Sequence, residues 1–384
     1  MYCLILCKET FGSGNLSTAL YIREIFELYL EAEFIKIVNI NCESSLKDID
    51  NFNRSTANPK LVIALHLRQC SHLVSLLDKS IPVLAICTGS DINMDRTHAV
   101  YLKLMTYLVD RSFAVVLLNR PMLKQFKETW PHYPGQLQFF YIVAIRVDVE
   151  DANHYKKDIL TAIECKLGVK LQPFFIVAGL LRDVKDPMFA LQAFLEWRNQ
   201  DKKENKDSKV TSTINYKSYN LLYVGSVEED TENIQQFIDE IDGKVVHRCD
   251  SLTQKELHSL MLSSQALINC SISEGQSLAV MEAMSLGVPV VVRENPGNCD
   301  LIKHRKNGLV FRTSKSESSI RTSTQSYCTE LKLGQLLQLS SRMYKCSMFV
   351  GRIPSSTVYC GIEQTSFQLE RKLGKDVGGG QDTH

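Results

Sequence analysis

The sequence predicts an α/β protein of two consecutive domains, each a mostly parallel sheet with helices on both faces. Three observations predict it. Short apolar runs alternate with helix-spaced apolar patterns along most of the chain, the arrangement that joins parallel strands through crossover helices. This alternation breaks once, over residues 149–171, and then resumes. The length, 384 residues, is about that of two domains.

Taken in order, strands are expected at residues 2–7, 34–40, 61–66, 83–87, 114–118 and 137–143, each a run rich in Val, Ile and Leu. The clearest helix between them spans 16–30, with Leu20, Ile22, Ile25, Phe26 and Tyr29 at helical spacing. Residues 149–171 carry mixed charge without a strong pattern and are read as the interdomain linker, so the first domain is 1–148. The second domain, 172–313, continues with strands at 174–178, 220–224, 244–247, 266–270 and 288–292. Helices at 188–198, 231–241 and 254–263, and one carrying Leu278–Met281, lie between them. The stretch 199–218, polar and lysine-rich, reads as a mobile surface insertion. From residue 314 the alternation stops and serine and threonine become frequent; 314–384 is expected to be an atypical, partly disordered tail with one amphipathic helix at 331–343.

Composition excludes several classes of function. Hydrophobic residues make up 44% and charged residues 23%, ordinary for a globular chain, and the net charge of +1 argues against broad binding to nucleic acid or an acidic membrane surface. No apolar run approaches the ~20 residues a membrane span needs. The twelve cysteines form no CxxC pair and no Cys/His zinc spacing. Cys3, Cys7, Cys87 and Cys270 fall in expected core strands, where free cysteine acts as a small hydrophobe, which suits a reducing compartment. Glycans on the Asn-x-Ser sites at Asn15 and Asn269 would obstruct a ligand loop and a core strand. A cytoplasmic location is therefore expected, with secretion as the alternative if the apolar amino terminus serves as a signal.

The stretch 271–287, SISEGQSLAVMEAMSLG, followed by VPVVV, is the richest in chemistry. Strand, turn, helix and strand make one βαβ unit, and seven residues separate Glu274 in the turn from Glu282 in the helix. Residues at the carboxyl end of a strand and the amino end of the next helix face the ligand crevice of an open parallel sheet. An ionised carboxylate there can only accept hydrogen bonds, which suits the hydroxyls of a sugar or a ribose. Upstream, Ala178-Gly-Leu-Leu-Arg-Asp-Val-Lys-Asp-Pro187 places cations after the second domain's first strand. The Thr10–Asn15 loop puts Gly12 and Gly14 after the first strand, where backbone N–H groups can turn toward a ligand. A dinucleotide fingerprint needs a third glycine, and Ser17 and Thr18 follow instead.

The ordered run Ser273, Glu274, Gly275, Glu282, Ala283, Gly287, Pro289, Val290, Val291, then Gly297, Asp300 and Gly308–Phe311, resembles the signature of the family-4 retaining glycosyltransferases. The resemblance covers roughly residues 1–313 and is strongest after 174. It implies the GT-B fold, two Rossmann-like domains with a cleft between them, and transfer of a hexose-type sugar from a nucleotide-activated donor with retention of anomeric configuration. It assigns Glu274 to the donor sugar, Glu282 to the ribose hydroxyls, and Lys185, with Arg182, to the departing diphosphate. Gly179 matches the glycine of the family's phosphate loop; Leu180 stands where its arginine is usual, and Asp186 where a glycine is usual. Gly12, Gly14 and Asn15 would line the donor pocket. His66, at the end of a strand, would lie near acceptor and donor sugar, or be a structural histidine. Asp91 would serve the acceptor side, or cap the next helix. The resemblance implies no cofactor and no essential metal, and no Asp-x-Asp motif occurs in a suitable loop. Leu180, Ala144 and the tail leave a second reading, a GT-B pseudoenzyme acting as a binding or scaffolding module. Donor base, donor sugar, acceptor and oligomeric state have no signal in the sequence.

Overall fold

The computed structural model describes residues 2–29, 34–57, 59–139, 147–171, 173–199 and 218–313. The chain divides into two compact units, with the break between residues 145 and 146. Most of the 199–218 insertion, the end of the strand expected at 137–143, Ala144 and the tail lie outside the described residues.

The first unit holds β1 (Tyr2–Cys7), β2 (Phe34–Asn39), β3 (Lys60–Leu65), β4 (Val83–Ile86), β5 (Ala114–Leu117) and β6 (Gln136–Phe139). They form one sheet in the order β2-β1-β3-β4-β5-β6, and all described pairings are parallel. The chain runs from β1 outward to β2 and returns to β3 on the other side of β1. The crevice of such a sheet opens where the strand order reverses, outside the carboxyl ends of β1 and β3. The helix after β1 is α1 (Gly14–Tyr29) and the helix after β3 is α3 (Leu67–Ser75), with α2 (Ser44–Arg54) between β2 and β3. Next come α4 (Ser90–Asn93) and α5 (Ala99–Arg111) after β4, and α6 (Arg120–Thr129) after β5. β1, β3 and β4 are almost wholly buried, as continuous apolar runs with helices on both faces require.

The second unit opens with α7 (Val149–Leu167), a 19-residue helix over most of the stretch read from sequence as a patternless linker. Asp148 caps it by accepting a hydrogen bond from the Asp151 N–H at 2.9 Å, and Gly168 ends it in the left-handed region at φ 70°. Beyond it lie β7 (Phe174–Ala178), α8 (Pro187–Arg198), β8 (Asn220–Val224), α9 (Glu232–Glu240), β9 (Val246–Cys249) and α10 (Gln254–Ser263). β10 (Leu267–Asn269), α11 (Leu278–Ser285), β11 (Val290–Arg293), α12 (Pro296–Leu301) and β12 (Leu309–Phe311) complete it. The parallel sheet runs β12-β11-β10-β7-β8-β9, so its order reverses between β7 and β10. The strand expected at 244–247 starts two residues later, at Val246, because the Asp242 carboxylate accepts from the N–H groups of Lys244, Val245 and Val246 and holds them in a turn.

Strand alternation sends the second unit's side chains into two cores. Phe175, Leu221, Tyr223, Ile268 and Val291 face α8 and α9, where Leu191, Phe194, Trp197 and Phe237 are buried. Phe174, Ile176, Leu222, Val224 and Val292 face the other way, against Ile163, Leu260, Met261, Val280 and Ala283 of α7, α10 and α11. The cysteines expected in core strands are buried, and burial pushes the Cys7 thiol up to about 12. Among the described residues, no helix is long and apolar enough to cross a membrane.

Candidate functional site

At the switch point of the second sheet, the loops leaving β7 and β10 bring Lys185 and Glu274 together. Lys185 Nζ donates to Glu274 Oε1 at 2.7 Å, and the side chains are 23% and 10% exposed. Burial by itself would raise the Glu274 carboxyl. The Lys185 ammonium, with hydrogen bonds from Lys185, Ser271 and Asn269, outweighs it and holds the group below its ordinary value.

Asn269, the last residue of β10, organises this corner. Its amide Nδ2 donates to Glu274 Oε1 and to Ser277 Oγ, both at 3.1 Å. Its Oδ1 accepts from Asn298 Nδ2 at 3.1 Å and from the Ser271 N–H at 3.3 Å. The buried amide thus uses both donors and both acceptor sites, which pins the turn that carries Glu274. Gly297, in the first turn of α12, touches the same turn from the other side. A Cβ there would meet the Glu274 carbonyl oxygen at 2.4 Å and that of Gly275 at 2.7 Å, so only glycine lets α12 start against it.

The lysine side of the corner is set by a tight loop. Gly179 takes φ 144°, and its carbonyl approaches Gly225, where a Cβ would lie 2.0 Å away. Leu180 and Leu181 then turn inward and are buried. A short 3-10 turn, Asp183–Lys185, raises Lys185 over the carboxyl end of β7. Asp186 follows in the left-handed region, φ 46° and ψ 56°, where glycine is easiest to place. That accounts for the usual glycine at this position. Here Arg293 Nη1 donates to Asp186 Oδ2 at 2.6 Å and also to the Cys270 carbonyl at 3.2 Å, holding the aspartate in place. A small pocket opens beside these residues, lined by Gly179, Leu180, Lys185, Asn269, Cys270 and Ser271 among others. Arg182 points to another partner, the Glu228 carboxylate at 3.2 Å.

Glu282 lies one turn further into the signature helix and is buried. It meets α10: Gln254 Nε2 donates to its Oε1 at 3.3 Å, and His258 Nε2 is 3.7 Å from the same oxygen.

In the first unit, His66 and Asp91 meet at the carboxyl ends of β3 and β4. His66 is buried and has the unusual backbone φ 84°, ψ 110°, strain of the kind that concentrates at functional sites. Its Nδ1 accepts from the Gln69 N–H at 3.4 Å, so the neutral ring carries its proton on Nε2, which lies 3.0 Å from Ser90 Oγ. Asp95 Oδ2 stands 3.7 Å from that nitrogen and 2.7 Å from Arg68 Nε. Asp91 is wholly buried, and its carboxylate accepts from the N–H groups of Leu67, Thr88, Gly89 and Ile92. It ties the β3 loop to the β4 loop, a broader version of the capping alternative. At the neighbouring end of β1, Gly12 takes φ 81° and Ser13 Oγ accepts from the Leu16 N–H at 3.2 Å. Gly12 and Gly14 are exposed there and Asn15 is half-buried in the first turn of α1.

The structure thus gathers Gly179, Lys185, Glu274 and Gly275 at one corner of the second unit, with Glu282 on the adjoining helix. His66 and Asp91 sit together in the first unit, near the glycine loop. Sequence reasoning missed Asn269 as an organiser, the Asp186–Arg293 pair, and Gln254 and His258 beside Glu282. Asn269 carried one signal, a polar residue ending a buried strand.

Comparison with known proteins agrees with the second unit in particular. Residues 165–326 match the family model described as glycosyl transferases group 1, so a domain of that group occupies this part of the chain. The chain is 28% identical over 374 residues to the Glycosyltransferase 1 domain-containing protein 1 of Xenopus tropicalis, covering 97% of this chain and 95% of that protein. Among solved structures, it resembles Anabaena HepE in complex with UDP and glucose, with TM-score 0.66, 14% identity, and 97% of this chain and 100% of that one covered. Sucrose-phosphate synthase from Thermosynechococcus elongatus gives TM-score 0.66 and 12% identity, over 98% and 100% of the two chains. At these identities the likeness establishes the fold, which is GT-B.

Proposed function

We propose that the protein is a glycosyltransferase that moves a hexose-type sugar from a nucleoside-diphosphate donor to an acceptor, with retention of anomeric configuration. The observation that carries this reading is the Lys185–Glu274 pair at the switch point of the second sheet, one turn of α11 from Glu282. Lys185 supplies the positive charge that a departing diphosphate needs. Glu274 accepts from donor sugar hydroxyls beside the reacting carbon, and Glu282 accepts from the ribose. Lys185 and Glu274 neutralise each other in their ion pair; a donor would replace that pair, giving diphosphate to the lysine and hydroxyls to the carboxylate. The HepE structures hold UDP or UDP-glucose, which makes UDP the first nucleotide to try. On the first unit we assign ligand contacts to the Gly12–Asn15 loop and to His66. Asp91 shapes that site from inside.

A second reading, a binding module without turnover, is favoured by Arg182, which is engaged by Glu228, and by the buried Leu180. One experiment separates the two. The full chain is screened for thermal stabilisation by a panel of nucleotide sugars, since a ligand that binds only the native state raises apparent stability. The stabilising donor is then followed for hydrolysis or transfer by proton NMR of the anomeric signal. Turnover to a product of the donor's own anomeric configuration supports the enzyme. Binding without turnover supports the module, and no stabilisation by any nucleotide sugar overturns both.

A further inference from the structure

Glu282 is buried, yet its two oxygens are treated differently. Oε1 is taken up by α10, which brings Gln254 Nε2 to 3.3 Å and His258 Nε2 to 3.7 Å. Oε2 makes no hydrogen bond to any described residue. Gln254 and His258 are four residues apart, so they share one face of α10 and reach the same carboxylate. His258 is itself buried, and its Nε2 is enclosed without a hydrogen-bond partner at the present spacing. A buried, unpaired ring nitrogen beside a carboxylate is unfavourable in a side chain meant only to fill space.

α10 is also held firmly. Thr253 and Glu256 close its first turn with a reciprocal capping box. Ser259 Oγ donates to the Ala152 carbonyl of α7 at 3.0 Å. Lys255 Nζ lies 3.1 Å from Asp151 Oδ1 and 3.4 Å from the centroid of the Tyr155 ring. The donors facing Glu282 therefore come from a braced helix, as a site with defined geometry requires.

We propose that Gln254 and His258 are positioning residues for the carboxylate of Glu282. By occupying Oε1 they turn Oε2 toward the ribose of the bound nucleotide, and so set the preference for ribose over deoxyribose. This rests on the ribose role given to Glu282 above. His258 closes onto Oε1 when the ribose loads Oε2, giving its enclosed nitrogen a partner.

The test compares a ribonucleotide with its 2′-deoxy counterpart by titration calorimetry on the full chain. The probe is whichever of UDP, GDP and ADP binds tightest, against dUDP, dGDP or dADP. The parent is expected to prefer the ribonucleotide about tenfold, the scale of one hydrogen bond to a charged group. Glu282→Gln should abolish most of that preference. Gln254→Leu and His258→Phe should each reduce it to about twofold, with little change for the deoxynucleotide, and His258→Gln, which keeps a donor, should restore much of it. Loss of affinity for both nucleotides alike would show a merely structural role and overturn the proposal. Gln254 is exposed, so Gln254→Leu does not disturb the core and decides the matter alone if His258→Phe does not fold. If Glu282→Gln keeps the full preference, or none of the three nucleotides binds, the ribose reading falls and this proposal with it. If Glu282→Gln loses the preference while Gln254→Leu and His258→Phe keep it, only the positioning role falls.

Discussion

Replacing Lys185 by alanine is the sharpest test of the candidate site. The ammonium donates to Glu274 Oε1 at 2.7 Å, and both side chains are less than one third exposed. Removing it leaves a mostly buried carboxylate facing the neutral donors Ser271 and Asn269. A hydrogen bond to a charged group contributes about 1.5–3 kcal/mol. Breaking one end of a fully buried pair costs about 3–5 kcal/mol. The partial exposure of Lys185 places the loss in the lower range, about 1.5–3 kcal/mol of folding stability. The same variant removes the cation proposed to meet the diphosphate. At about 1.4 kcal/mol per tenfold, the loss of affinity is about 10- to 150-fold. The uncovered Glu274 carboxylate, repelling an anionic ligand, pushes it toward the larger figure. Urea unfolding measures the first effect and calorimetric titration with UDP, GDP and ADP the second. The double variant Lys185→Ala/Glu274→Gln separates them, because it restores stability by removing the stranded charge and leaves binding weak. Parental affinity in Lys185→Ala would refute the phosphate role and leave the pair as a structural tie.

Three further outcomes follow from the same geometry. Glu274 has an ordinary value of 4.5 and is held below it, because Lys185 and hydrogen bonds outweigh the raising effect of burial. Its contribution to stability is thus fully present above pH 4.5 and is lost as pH falls through the native value, so the stability gap between parent and Lys185→Ala should hold near neutrality and shrink below pH 4.5, as urea unfolding across pH would show. Gly297→Ala would drive a Cβ to 2.4 Å from the Glu274 carbonyl oxygen; a destabilisation of about 1–3 kcal/mol together with weaker donor binding is expected, and parental values of both would show that the turn yields freely. Asp186→Gly relieves a left-handed conformation worth about 1–2 kcal/mol but strands Arg293, which is 12% exposed; near-neutral stability is expected in Asp186→Gly and a clear gain in Asp186→Gly/Arg293→Met, and a loss in the double variant would show that strain at Asp186 is negligible.

Much of this architecture was legible because central parallel strands are continuous apolar runs. β1 and β7 begin and end where the apolar residues do, and β8 is an apolar run preceded only by Asn220. The turn with Glu274 and the helix with Glu282 were legible because the motif is local. α7 was not. Its apolar residues Ala152, Ile159, Leu160, Ile163 and Leu167 do fall on one face, but they are diluted by Glu150, Asp151, Lys156, Lys157, Asp158 and Lys166. Only the covering it receives from α10 decides the matter. The partners of the site residues were equally hidden. Arg182 meets Glu228, and Glu282 meets Gln254 and His258, through contacts between elements that no local pattern announces. Asp186 read as a departure from a family glycine; its positive φ shows what the glycine is for, and Arg293 shows how an aspartate takes its place.

The helix α7 also changes where the second unit can be cut. The matched family region begins at residue 165, inside the last turn of α7, and the first strand of the sheet begins at Phe174. A fragment started at either point discards Asp151, Ala152 and Tyr155, and with them the ion pair, hydrogen bond and ring contact that hold α10. Leu260 and Met261 would also lose the cover they share with Ile163. A fragment that begins at the Asp148 cap keeps all of these. The stretch that the family model matches and the piece that can be excised intact therefore begin at different residues.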